Sequence, residues 1–166
     1  MLFRSALGIK LNKQELGGPQ VHLLSGVVDN LAEDEYDAFR QLRSFLSYFP
    51  QNAWEPAPRG ACNDPTDRCE DTLLSAVPRD RRESYNMHGI IDAVVDRGSF
   101  FEYASTYGPS LITGYARING QSVGILANDC RFFAGAMSAE AAQKTRRFIE
   151  TCDSFHIPIE IGRAHV

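Results

Sequence analysis

The residues of this chain best suited to chemistry are small ones. Phe133-Ala134-Gly135-Ala136 stands just before a segment patterned as a helix. Small residues let a ligand approach the main chain closely. Main-chain N–H groups beside a helix N-terminus can stabilise a developing oxyanion. The N–H groups of this loop are therefore candidate donors, although a Gly-Ala loop that simply packs would look the same. Side chains offer less. There is no Gly-x-Ser-x-Gly elbow, no P-loop and no zinc-type His/Glu spacing, so no metal site is expected. His22, His88 and His156 are scattered and read as surface or interface histidines. Arg79, Arg81 and Arg82 suit the phosphates of a nucleotide-like ligand, but the interleaved Asp80 and Glu83 favour a solvated charge cluster. Glu140 is the one carboxylate close to the loop, placed on the first turn of the helix that follows.

The composition allows one real core. A chain of 166 residues buries about 70% of its unfolded surface. An apolar share of 43% with 23% charged residues is ordinary for a globular protein. A net charge of −4 gives no reason to expect nucleic acid or an anionic membrane. No apolar run reaches the ~20 residues of a membrane span, and MLFRSALGIK lacks a signal-peptide core. Cys62, Cys69, Cys130 and Cys152 contain no Cys-x-x-Cys pair. Spacing permits a Cys62–Cys69 disulfide, but four free thiols are the simpler expectation.

The elements that would position the loop can be read from periodicity and caps. Gly17-Gly18-Pro19 makes a turn, and Val21–Val28 is expected as a short extended run broken at Gly26. A helix is expected over about Glu33–Phe49, with Phe39, Leu42, Phe45, Leu46 and Phe49 as a core stripe and Pro50 as its stop. Trp54–Tyr85 reads as a linker, with a domain boundary near Pro78–Glu83. A second helix starts at about Met87, capped by Asn86, with Gly98 as its C-terminal cap. Ser99–Tyr103 reads as a strand. Asn119-Gly120 predicts a type I′ hairpin that sets Ile118 opposite Gln121, Ala116 opposite Val123 and Tyr115 opposite Gly124. The last helix is expected over about Ala139–Phe155 with Ser138 as N-cap. Its inner face would carry Ala141, Thr145, Phe148, Cys152 and Phe155. His156-Ile157-Pro158-Ile159 then enters a strand.

Collinear blocks give this pattern a family. They include Glu15-Leu16-Gly17-Gly18, Leu46-Ser47-Tyr48-Phe49-Pro50, Asp64-Pro65-Thr66-Asp67-Arg68, Thr113-Gly114-Tyr115-Ala116-Arg117 and Ala134-Gly135-Ala136. Arg147-Phe148 through Cys152-Asp153-Ser154-Phe155-His156-Ile157-Pro158 closes the series. Over residues 8–159 the chain resembles the carboxyltransferase (beta) subunit of biotin-dependent acyl-CoA carboxylases of the propionyl-CoA carboxylase type. The resemblance implies an α/β fold of the ClpP/crotonase superfamily, a ββα spiral, here as two incomplete halves. Residues 6–79 would be the end of an acyl-CoA-binding N half. Residues 80–160 would open a biotin-binding C half.

The resemblance also implies a mechanism that asks little of side chains. Carboxybiotin releases CO₂, the ureido anion takes the α-proton of an acyl thioester, and the enolate attacks CO₂. The protein then supplies positioning and N–H donors for two oxyanions. Ala134, Gly135 and Ala136 would line the biotin side, and Gly135 and Ala136 would give one N–H donor to the biotin carbonyl, its usual partner being a Gly-Gly-Ala segment further downstream. Biotin would arrive on a biotin carboxylase/carrier subunit, and coenzyme A would carry the acyl group. The parent would be a homo-oligomer, cytoplasmic or in the mitochondrial matrix. Asn128-Asp129-Cys130 replaces the Asn-Gln-Pro of many relatives, and Met137-Ser138 replaces Leu-Asp, which indicates a divergent subgroup. Three alternatives stay open: the matching subunit of a methylmalonyl-CoA decarboxylase, a crotonase-type hydratase or isomerase using Glu140, and a non-catalytic interaction domain.

The ends read differently. Leu2-Phe3-Arg4-Ser5 and Glu160–Val166 are what a common sequencing adapter encodes in its two orientations. Met1–Ser5 and residues 161–166 are therefore expected not to belong to the biological protein.

Overall fold

The computed structural model describes residues 12–65, 67–80 and 82–162. The expectations for Met1–Ser5, Thr66, Arg81 and residues 163–166 lie outside the described residues. Of the C-terminal segment, Ile161 and Gly162 are described and lie in a strand.

The chain opens with two short helices set by its Gly-Gly-Pro punctuation. Helix α1 (Lys13–Gly17) is closed by a capping box between Asn12 and Glu15. Pro19 then starts α2 (Pro19–Leu24). The expected extended run at Val21–Val28 is therefore helical as far as Leu24. A proline at the first helical position already holds the required φ and lacks only an N–H that would go unused. Gly26, at φ +71°, lies against the Tyr107 ring.

Helix α3 (Glu35–Leu46) is capped by Asp34, whose carboxylate accepts from the Asp37 N–H. Its aromatic stripe does not behave as core throughout. Phe49 is buried and Phe45 packs beside it, but Phe39, Leu42 and Leu46 are 59%, 51% and 55% exposed. Only the C-terminal end of α3 and the residues after it lean on the sheet. Helix α4 (Met87–Val94) has the expected Asn86 cap. Its C-terminal cap is Val95, not Gly98, which sits at φ +69° in the next turn.

Strands β1 (Phe101–Tyr103), β2 (Leu111–Ile118), β3 (Gln121–Asn128) and β4 (Ile159–Gly162) form one sheet in that order. The first three are antiparallel, and β4 runs parallel to β3. The crossover is α5 (Ala139–Ser154), whose first turn is capped by Ser138 Oγ. At the hairpin Asn119 and Gly120 have φ of 51° and 75°, the signature of type I′. All three expected pairs are present: Ile118 with Gln121, Ala116 with Val123, and Tyr115 with Gly124.

Both faces of β2 and β3 are buried. On one face Ile112, Ala116, Val123, Ile125 and Ala127 pack with Met87, Ile91 and Val95 from α4 and its cap. On the other, Tyr115 meets Tyr48, Phe49, Phe148 and Cys152. The Tyr115 and Phe148 ring centroids lie 5.1 Å apart. Gly124 is needed there, because a Cβ would lie 2.8 Å from Cys152 Sγ. Segment 54–85 is irregular but docked. Gly60 N donates to Gly120 O at 2.8 Å, and Arg68 Nη2 reaches the carbonyls of Ala93 and Val95 at 2.5 and 2.8 Å. The four cysteines are unpaired thiols, so the Cys62–Cys69 disulfide does not form.

Candidate functional site

The loop from Asn128 to Ser138 is anchored at both ends. At its foot Asp129 N donates to Ser110 O at 2.9 Å, and at its far end Ser138 caps α5. Between them the backbone makes a left-handed turn. Phe133, Ala134 and Gly135 have φ of 51°, 52° and 76°. Only glycine adopts this region freely, and an alanine or phenylalanine there costs about 1–2 kcal/mol. Gly135 is also required sterically, since a Cβ would lie 2.5 Å from Asn128 Nδ2. Strain of this kind is found where surrounding contacts over-determine the backbone.

This turn walls a cleft of about 440 Å³. Leu111, Leu126, Asn128, Gly135, Ala136 and Ile161 are among its lining residues. The lining is mostly apolar with a few main-chain and amide groups, the usual make-up of a small-ligand site. Gly135 and Ala136 are thus brought to the cleft, and Ala134 lies in the same turn. Their N–H groups are already engaged, however. Gly135 N donates to Phe132 O at 2.9 Å, and Ala136 N to Phe133 O at 3.0 Å. The turn thus bonds to itself.

The charged groups at the foot of the turn do not read as a cluster in the sequence. Asp129 is 1% exposed. It accepts from Arg131 N at 3.0 Å, and from Arg131 Nε and Nη2 in a fork. Burial pushes the Asp129 carboxyl up, but these hydrogen bonds outweigh it and hold the carboxyl below its usual range. Arg131 Nη2 also lies 3.1 Å from His88 Nδ1, and His88 Nε2 lies 3.0 Å from Glu102 Oε2. Deeper, fully buried Lys144 donates to Ala104 O at 3.1 Å. Burial depresses its ammonium to about 8, against a small opposing pull from Glu102. The expected inner face of α5 named Thr145 and not Lys144; the i, i+3, i+7 spacing Ala141–Lys144–Phe148 is the signal that puts the lysine among the buried residues.

The remaining candidates stay apart. His22 lies in α2, and His156 takes φ 55° just after α5, a helix-ending position. Arg79, Asp80, Arg82 and Glu83 are exposed. Glu140 is exposed, and hydrogen bonds with its own backbone and Ser138 lower its carboxyl. A general acid working near neutrality needs the opposite shift, which argues against the hydratase or isomerase reading.

Comparison with known proteins identifies the family. The carboxyl transferase domain family matches residues 1–161, and the chain belongs to that family. It is 38% identical over 157 residues to the mitochondrial propionyl-CoA carboxylase beta chain of Homo sapiens, covering 94% of this chain and 29% of that one. It is 38% identical over 159 residues to the methylmalonyl-CoA decarboxylase subunit alpha of Veillonella parvula, covering 95% of this chain and 31% of the relative. The hexameric transcarboxylase 12S core, solved with methylmalonyl-coenzyme A, superposes with a TM-score of 0.89 at 32% identity. That match covers 99% of this chain and 33% of the 12S chain. The crotonase-like α/β fold is thereby shown, and the chain spans about a third of the length of these relatives.

Proposed function

We propose that this chain supplies the biotin-facing part of a carboxyltransferase subunit. That subunit moves a carboxyl group from carboxybiotin to the α-carbon of an acyl-CoA. The single observation that carries the reading is the strained Phe133–Gly135 turn walling an apolar cleft, on a carboxyl transferase fold. Residues 6–79 are then the end of the N half, and 80–160 the start of the C half. A biotin carboxylase/carrier subunit and further copies of the full-length chain are the partners, in the cytoplasm or the mitochondrial matrix. Among the described residues no helix is long and apolar enough to cross a membrane.

The cleft suits an uncharged fused bicyclic ring in size and polarity. Gly135 and Ala136 would form one wall, with Ala134 in the same turn, and Leu111 and Leu126 would exclude water. Biotin, when bound, supplies the ureido nitrogen that carries the carboxyl group. The chain's own contribution is orientation and, once the turn opens, N–H donors for developing negative charge. A second reading is supported by the decarboxylase relative, in which the same half-reaction runs in reverse.

The test is a replacement. Residues 8–159 are exchanged for the matching segment of a full-length propionyl-CoA carboxylase beta chain, and carboxyl transfer is measured. The exchange is expected to retain activity. Gly135→Val in the same protein keeps the main-chain N–H but disfavours φ 76°, and the displaced donor is expected to lower kcat by about 100-fold. Full activity of the Gly135→Val protein would refute the assignment. The 166-residue chain alone is expected to yield no malonyl-type product from acyl-CoA and carboxybiotin.

A further inference from the structure

The turn at Phe133–Gly135 cannot be paid for by its own sequence. Two of its three left-handed residues carry a Cβ, so something outside the turn must hold it closed. Asp129 and Arg131 stand at its foot, and Phe132 N donates to Asp129 O at 3.2 Å. The Asp129 carboxylate takes three N–H groups of Arg131, which fixes the direction of the guanidinium. That guanidinium then reaches across to α4, where it meets His88.

The tautomer of His88 follows from its partners. A guanidinium has donors only, so Nδ1 facing Arg131 must carry the lone pair. The proton therefore sits on Nε2 and is donated to Glu102 Oε2. Neutral His88 fits this arrangement. Protonated His88 does not, because Nδ1–H would point at a cation 3.1 Å away. The groups facing the imidazole are Arg131 from the loop, Glu102 from β1 and the Phe100 ring edge-on. Asp129 lies behind Arg131, and Lys144 of α5 feels the Glu102 charge.

We infer that Arg131 is a positioning residue: clasped between Asp129 and neutral His88, it holds the Gly135–Ala136 turn in its self-bonded form, and releasing His88 frees the two N–H donors. The inference deepens the proposed function, and its meaning for carboxyl transfer rests on that reading.

Hydrogen exchange followed by mass spectrometry on the full chain tests it. His88→Ala is expected to speed exchange in the peptide spanning 132–138 by roughly tenfold, as for loss of one hydrogen bond to a charged group. Peptides from the hairpin and α5 should be unchanged. His88→Gln should restore protection, since its amide can accept from Arg131 and donate to Glu102. Arg131→Lys keeps a cation beside Asp129 but lacks the fork, and should behave like His88→Ala. Unchanged exchange at 132–138 in His88→Ala overturns the clasp, as does faster exchange spread over every peptide. Biotin methyl ester is added in a separate arm. Protection of the turn in His88→Ala supports freed donors. No protection in any variant refutes the biotin-side reading, while the exchange pattern still decides the clasp.

Discussion

Two buried charges at the residue scale both make stability rise with pH, in different windows. Lys144 has a folded-state value near 8, below the ordinary 10.5 of the unfolded chain. Between those values the unfolded state binds the extra proton, so stability rises with pH. The effect is at most roughly 3 kcal/mol, from 1.36 kcal/mol per unit. Lys144→Met should therefore raise the melting temperature at neutral pH and flatten its rise above pH 8, read as the difference between the two proteins. Asp129 acts in the same direction, in the acid range. Its folded value is depressed, so its contribution is present above the ordinary 3.8 and is lost as pH falls through the lower folded value. Asp129→Asn should be less stable than the parent at neutral pH, and the gap should close in strong acid. A denaturation series from pH 7 downward checks this. Neither residue was legible as special: Asp129–Arg131 is an ordinary i,i+2 pair until burial and a turn bring the groups together.

At the scale of elements, the hairpin is the part whose sequence and geometry agree most closely. Asn-Gly supplies two left-handed residues in succession, and the strand register follows from the turn. Gly120→Val should cost about 1–2 kcal/mol from backbone strain alone. It should cost more in practice, because a Cβ there would strike the Gly60 carbonyl. Gly124→Leu should cost about 1–3 kcal/mol by overpacking Phe148 and Cys152. Urea titration of each variant measures both. Helix α3 shows the limit of periodicity. Its stripe has helical spacing, yet spacing reports which residues share a face and not whether a partner covers it. Leu42→Lys, at a half-exposed position, is expected to change the stability of this chain by less than about 0.5 kcal/mol.

At the scale of the whole molecule, one sheet gathers elements that the sequence divides between two halves. Tyr48 and Phe49 follow α3, yet they pack on Tyr115 of β2, and Tyr48 Oη donates to Ser99 O at 2.5 Å. Arg117 Nη2 returns the contact by donating to Ser47 O at 2.8 Å. Residues near the expected boundary at Pro78–Glu83 are exposed, while the segment before them is tied to α4 through Arg68 and to the hairpin through Gly60. Tyr48→Ala should therefore destabilise the β-sheet region, not only the α3 end. Faster hydrogen exchange in β2 would show this coupling, and protection unchanged in β2 would contradict it.

The sequence by itself determined what depends on near neighbours. Helix caps at Asn86 and Ser138, the Asn119-Gly120 turn, the strand register and the family pattern are all set by residues a few positions apart. It also placed Gly135 and Ala136 beside a helix start. Only the tertiary structure decided how those donors are used. The left-handed turn bonds to itself, and the groups at its foot come from α4, β1 and the loop after β3. Hydrogen-bond partners separated by 43 positions leave no periodic trace in a sequence, because their meeting is fixed by the packing of α4 on the sheet and not by local propensity.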